Sequence, residues 1–198
     1  EFPEYSSSQY NDVFGVWVNG TLVPFGVGND KVSVNNLTSP DAGNLFRNNT
    51  NDAYNTEMDG FTITLSLNIP VIAGVVNSIR IGIADVQDAR YDSNLLIAGN
   101  SGQSTLVAIR DREQMFIGQT KTFDVLDNDV NINGGGLTIT HINGIPITAG
   151  QTITLPSGDQ VRLNADGTLT ITTDNDADRF NFTYTVQNTA AETAVGIV

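Results

Sequence analysis

Apolar and polar residues alternate in five runs along this chain: VFGVWVNGTLVPF (13–25), FTITLSLNI (61–69), SIRIGIADV (78–86), GLTITHINGIPIT (136–148) and VRLNADGTLTITT (161–173). A period of two sends successive side chains to opposite faces of a strand, and no stretch holds the longer period of an amphipathic helix. Asn19-Gly20, Asn143-Gly144 and Asp166-Gly167 fall between alternating runs. Such pairs favour the positive φ angles of tight hairpin turns. The pattern predicts an all-β chain.

The 198 residues suffice for two domains that each bury a core. Their character changes at Gly99-Asn100-Ser101-Gly102-Gln103, a small polar stretch with turn chemistry, which is read as the linker. The expected organisation is one β-sandwich over 1–100 and a second over 105–198, the latter beginning with the strand near Leu106 to Arg112. The segment from Asn35 to Gly60 is too long for an ordinary connection. Phe46, Tyr54 and Met58 are expected to anchor it, with a ligand-gripping loop as the alternative. Trp17, alternating with Val16 and Val18, is expected in the core.

IADVQDARYDSN (83–94) concentrates Asp85, Asp88 and Asp92 after the alternating Ile79, Ile81 and Ile83, between that strand and an expected LLIA strand. Composition narrows what such a loop can do. With 22 acidic against 9 basic residues the formal net charge is −13, so the cationic surface that nucleic acid requires is absent and anionic membranes are disfavoured. Converging carboxylates repel unless a cation offsets them, and the ligand set is rich in hard oxygens, with one histidine and no cysteine. Calcium is the expected metal. The alternative is a solvated polar loop.

VLDNDVNINGGGL (125–137) supplies a second candidate in Asp127 and Asp129. It matches the start of an EF-hand loop at Asp129, Asn131, Asn133 and Gly134, yet Thr140 stands where the bidentate glutamate belongs, which argues against an EF-hand. His141 lies in a strand and reads as a packing or surface residue. Ser-His-Asp machinery and a phosphate-binding glycine loop are both missing from the pattern, so a non-enzyme is expected. No apolar run approaches the ~20 residues that span a bilayer. No signal peptide precedes Glu1, and a soluble or processed segment is expected.

Residues 1 to about 98, through EFPEY, QYNDVFGVWVNG, VSVNN, MDGFTITL and IRIGIADVQDARYDSNLLI, resemble the choice-of-anchor L domain of bacterial secreted and surface proteins. The chain starts partway through that family's pattern, so an N-terminally incomplete sandwich is expected. Residues from about 105 to 198, through TFDVLDNDVNINGGGLTIT, ITLPSGDQVRLNADGTLTIT and DRFNFTYTV, resemble the cadherin-like repeats of large bacterial adhesins. Those repeats are immunoglobulin-like sandwiches that often carry calcium. Asn131 stands where the family has aspartate, and Asn133-Gly134-Gly135 replaces its usual D-G-D.

These resemblances imply an extracellular or cell-surface, non-catalytic, calcium-supported segment acting in adhesion or assembly. Glu4 and Asp12 join Asp85, Asp88 and Asp92 as candidate ligands, and Asp111 joins Asp127 and Asp129. Expected partners are other protein domains or identical subunits. A filament subunit completed by a donated strand is one alternative, because exposed sheet edges accept strands. A carbohydrate- or peptide-binding module, using exposed aromatics such as Tyr5, Tyr10 or Trp17, is the other. Asn19-Gly20-Thr21, Asn36-Leu37-Thr38, Asn48-Asn49-Thr50 and Asn181-Phe182-Thr183 fit the glycosylation pattern, which an Asn- and Thr-rich chain also produces by chance.

Overall fold

The computed structural model describes residues 11–24, 32–37, 40–86, 93–99, 102, 104–176 and 179–198. They form fifteen strands, the four-residue helix Val34–Leu37 and a 3-10 turn at Pro40–Leu45. The all-β expectation holds.

In the C-terminal half two four-stranded antiparallel sheets face each other. One has the order β10-β9-β14-β15, built from β9 (Leu137–Ile142), β10 (Ile145–Pro146), β14 (Thr183–Asn188) and β15 (Thr193–Ile197). The other has the order β11-β12-β13-β7, from β7 (Thr120–Phe123), β11 (Thr152–Thr154), β12 (Gln160–Leu163) and β13 (Leu169–Thr172). The short strands β6 (Leu106–Val107) and β8 (Val130–Asn131) pair separately. Alternation delivers Val161, Leu163, Leu169 and Ile171 from one sheet onto Ile139, Ile142, Tyr184 and Val186 from the other. Each large apolar side chain so buried contributes about 1.5–3 kcal/mol.

Ile139 and Ile142 have opposite parity, yet both face the core. A β-bulge makes this possible: Thr185 pairs with His141 while Val186 pairs with Ile139, leaving Thr140 as the extra residue. His141 is thereby left half-buried, its Nδ1 2.9 Å from Thr140 Oγ1, in keeping with a packing role.

The predicted turns form, with a distinction. Asn19-Gly20 and Asn143-Gly144 have positive φ at both residues, as a two-residue type I′ turn demands. At Asp166-Gly167 only the glycine is left-handed, and Gly167 N–H donates to Asn164 C=O, which makes a three-residue loop instead.

The N-terminal half is thinner. β1 (Val13–Val18) lies between β2 (Thr21–Leu22) and β5 (Ile79–Ala84), while β3 (Phe46–Asn48) and β4 (Gly60–Thr62) form a separate pair. Among the described residues its buried apolar side chains are Val16, Val18, Val23, Val32 and Leu45, the last two packed with Phe14, Leu37, Ile63 and Leu65. Three expectations need correction here. The run 61–69 is a strand only as far as Thr62, because Ser66 Oγ then bonds Val195 C=O and Asn68 Nδ2 donates to Ala108 C=O at 3.0 Å, drawing the segment along the other half. LLIA forms no strand, and Leu95, Leu96 and Ile97 are exposed. Trp17 is not with Val16 and Val18 in the core: it lies on the opposite sheet face, its ring against Gly15 and Gly82.

The 35–60 segment is held chiefly by two asparagines, Asn44 and Asn49, whose burial nothing in the sequence pattern indicates. Asn49 donates to Met58 C=O at 2.9 Å and Thr56 C=O at 3.0 Å, and its Oδ1 accepts Tyr54 N–H at 2.8 Å. Phe46 packs on Gly60, and Tyr54 meets Phe61 edge-on at 5.0 Å. Asn44 fastens this segment to the C-terminal half: its Oδ1 accepts Ser157 N–H at 2.8 Å and its Nδ2 donates to Ser157 Oγ at 3.1 Å. Ser157 Oγ in turn bonds the buried Asp159 carboxylate at 2.5 Å.

Asn44→Ala leaves those Ser157 groups without their partner, at a cost of about 2 kcal/mol. Trp17 is the only tryptophan, so its fluorescence reports the N-terminal half alone. We expect urea unfolding followed by Trp17 to shift to lower denaturant in Asn44→Ala while far-ultraviolet dichroism of the C-terminal sandwich stays put. Coincident, unshifted transitions would show that Asn44 does not couple the halves.

Candidate functional site

Three features qualify, and the first is a carboxylate pair around a buried phenol. Tyr184 on β14 is fully buried because alternation aims it, with Phe182 and Val186, into the sandwich. Its ring crosses the paired strand at Gly196, where a Cβ would overlap it. The hydroxyl emerges among five oxygens: Asp129 Oδ1 at 3.0 Å and Oδ2 at 3.2 Å, Asp111 Oδ2 at 3.3 Å, Val125 C=O at 3.0 Å and Ile109 C=O at 3.4 Å. One phenolic proton can be donated to only one of them.

The carboxylates are otherwise positioned by Ile109 N–H, which donates to Asp129 Oδ1 at 2.7 Å, and Asn128 Nδ2, which donates to Asp111 Oδ1 at 3.0 Å. Burial, then repulsion from Asp129, pushes the Asp111 carboxyl up to about 7, despite the opposing hydrogen bonds from Tyr184 and Asn128. Asp129 is raised as well, chiefly by burial. Burial and the two carboxylates hold the Tyr184 phenol above its ordinary value, so it remains a donor.

The second feature is Asp12. Its carboxylate is buried and accepts Val86 N–H at 3.1 Å and Ser93 Oγ–H at 2.8 Å. Asp12 thus ties together Val86 and Ser93, the described residues on either side of positions 87–92. Asp85 is exposed at the end of β5. Glu4, Asp88 and Asp92 lie outside the described residues, as do Tyr5 and Tyr10.

The predicted ligands are thus only partly brought together. Asp111 and Asp129 meet, whereas Asp127 is exposed in the turn before Asp129. Among the described residues no three of His, Asp or Glu form a group able to hold a metal ion. Tyr184 was missed because it reads as one more core aromatic in FNFTYTV; a polar-tipped ring inside a buried run is the signal, since its hydroxyl must find a partner.

The third feature is the outer edge of β5. Phe14, Val16 and Val18 of β1 pair with Ile83, Ile81 and Ile79, so all six share one sheet face. Val16 and Val18 are buried, yet Ile79, Ile81 and Ile83 are 53%, 42% and 42% exposed. The 71–76 turn entering β5 also exposes Val71, Ile72, Val75 and Val76, while Asn77 satisfies its backbone through Ile72 N–H, Ile72 C=O and Val75 C=O. Among the described residues no strand lies beyond β5. Monomeric surfaces rarely leave apolar patches of this kind uncovered.

Residues 1–103 match the family model of the choice-of-anchor L domain. The chain belongs to the choice-of-anchor L domain family. Residues 100–198 match the bacterial Ig domain, so the C-terminal sandwich is an Ig domain. The order is the one the sequence motifs indicate. Choice-of-anchor and bacterial Ig domains are typical non-catalytic modules of extracellular surface proteins. Among curated proteins and among solved structures, no match to the chain is found. No helix among the described residues is long and apolar enough to cross a membrane.

With these assignments the carboxylate pair lies within the Ig domain, and the outer strand β5 belongs to the choice-of-anchor L domain. Among the described residues the Ig domain buries one cluster of fifteen residues, while the choice-of-anchor L domain buries the apolar Val16, Val18, Val23, Val32 and Leu45. The isoleucine row of β5 and the exposed 71–76 turn lie on the latter.

Proposed function

We propose that this chain is a non-catalytic module of a surface protein, acting in assembly and adhesion by offering the edge of β5 to an extended protein segment. The observation that carries this reading is the half-exposed row Ile79, Ile81 and Ile83 on a strand with no outer neighbour among the described residues. An added strand gains main-chain hydrogen bonds along the edge and covers the isoleucines at the same time. The Ig domain acts as a rigid spacer.

In cells that display the chain on their surface, Ile79→Ser/Ile81→Ser/Ile83→Ser is expected to abolish clumping while the amount displayed is unchanged. Clumping equal to wild type would overturn the assembly reading.

Calcium is the proposed stabiliser of the Ig domain, held by Asp111 and Asp129 with the carbonyls of Ile109 and Val125. The support is chemical: calcium accepts carboxylate and carbonyl oxygens alike and would stabilise the charged form of two carboxyls that burial raises, Asp111 being raised further by Asp129. Asp85, Asp88, Asp92, Asp12 and Glu4 form the proposed counterpart in the choice-of-anchor L domain. Calorimetric titration of the intact chain is expected to show calcium uptake that falls in Asp111→Asn/Asp129→Asn, and absence of uptake would remove the metal from this reading.

A further inference from the structure

We infer that the segment received by β5 is β5 of a second copy of this chain, antiparallel and centred on Ile81. The inference rests on the reading of this edge as an assembly surface and names its occupant. Backbone direction comes first. Asn19 N–H donates to Ser78 C=O at 2.9 Å, so Ser78 points toward β1. Carbonyl and N–H directions alternate along an antiparallel strand. Arg80, Gly82 and Ala84 therefore also bond inward, and Ile79, Ile81 and Ile83 aim their backbone groups out of the edge. Val16 C=O agrees: it turns away from its partner Ile81 to accept Val23 N–H at 2.8 Å.

The same three residues thus present both the free ladder positions and the apolar row. A partner strand has to match both with one register. Centred on Ile81, two copies of IRIGIA place Ile81 against Ile81 and Ile79 against Ile83, each a hydrogen-bonded pair, with every isoleucine on one face. Arg80 then lies opposite Gly82, whose face is covered by the Trp17 ring, an aromatic surface that attracts a guanidinium. Shifting the centre to Gly82 sets Ile79 against Asp85, and shifting it to Arg80 opposes two like charges. One register alone satisfies the backbone, the isoleucines and the charges.

The product is a two-fold symmetric interface, the commonest way for identical chains to associate. Pairing of two six-residue strands falls short of the roughly 1,200 Å² that a stable interface buries. The association is accordingly weak in dilute solution and strong where many copies are tethered on one surface. Because each copy carries −13 charges, added salt should strengthen it.

The chain has no cysteine, which makes single thiols clean reporters. Opposed residues of a hydrogen-bonded pair have Cα atoms about 5.5 Å apart, inside the disulfide range. Under mild oxidation Ile81→Cys is expected to form a disulfide dimer at least about tenfold faster than Thr152→Cys, an exposed site on the Ig domain. Ile79→Cys mixed with Ile83→Cys should cross-link, and neither should do so alone. Rates for Ile81→Cys equal to the control, or rapid dimers of Ile79→Cys by itself, would overturn the inference. A synthetic peptide with isoleucine at alternate positions separates the two levels through Trp17 fluorescence. If thiols fail to pair but the peptide shifts Trp17 emission, the second copy is wrong and the strand-accepting edge stands. If both fail, both readings fall.

Discussion

Gly196→Ala is expected to destabilise the Ig domain by about 3 kcal/mol, lowering its melting temperature by more than about 10 °C. The reason is a close approach, not backbone freedom. Gly196 pairs with Tyr184 across β14 and β15, and the phenol ring lies over the place a Cβ would occupy. Backbone hydrogen bonds fix both strands, so the ring has to turn. Turning withdraws the hydroxyl from Val125 C=O and Asp129, and leaves the two carboxylates without the phenol between them. Gly136→Ala serves as the control, because nothing lies within 4 Å of its Cβ position. A melt of Gly196→Ala within 2 °C of wild type, as for the control, would show that Tyr184 does not rest on β15.

The second large effect is on pH dependence. In chelator, stability is expected to fall as pH rises from about 4 to about 7. Asp111 has a folded value of about 7 against an ordinary 3.8, so across that window the native state keeps a proton that the unfolded chain releases. Stability then declines with pH and levels off above the folded value. Asp129 acts in the same direction. Asp166 and Glu192 are shifted downward by their hydrogen bonds, so their contributions are lost on acidification through and below the ordinary carboxylate values of 3.8 and 4.5, at the acid edge of this window.

Asp111 is only half-buried, and solvent screening reduces the expected change to about 1–2 kcal/mol. Thermal melts at pH 5 and pH 7.5 measure it. Asp111→Asn should remove most of the slope and melt above wild type at pH 7.5. This separates the site from general repulsion at −13 charges, which Asn substitution barely alters. Millimolar calcium should raise the melting temperature of the wild-type Ig domain at pH 7.5, have little effect on it at pH 5 and leave the Ig domain of Asp111→Asn unmoved. A wild-type melting temperature that is flat or rising with pH in chelator would sink the linkage.

Much of this architecture was legible because its causes are local. Alternation in LTITHI, QVRL and LTIT named strands that form, and the Asn-Gly pairs named turns whose φ angles only such residues adopt easily. FTITLSLNI and LLIA misled for a physical reason. Period-two patterning states that one face prefers burial, but a strand also needs a neighbour to bond, and Ser66 and Asn68 spend their bonds on the other half of the chain. Trp17 misled through parity: burial of Val16 and Val18 on one face sends the residue between them to the other.

Candidate ligands were harder, since acidic residues mark cation sites only when folding makes them converge. Asp129 and Asp111 converge because Asp129 follows a turn and Asp111 bonds along β15 through Ile197 C=O. Asp127, two positions away from Asp129, points into solvent. Nothing in a chain full of asparagine marked Asn44 and Asn49 as buried, although each is buried and multiply bonded.

By itself the sequence determined the all-β class, the hairpin turns, the acidic balance and the two families, all of which depend on residue type and short-range spacing. Tertiary structure alone decided which aspartates meet, that Tyr184 stands between two of them, and that the isoleucines of IRIGIA line the outermost of the described strands of their sheet. Those facts depend on which strand lies beside which, and that choice is made by contacts between residues far apart in the chain.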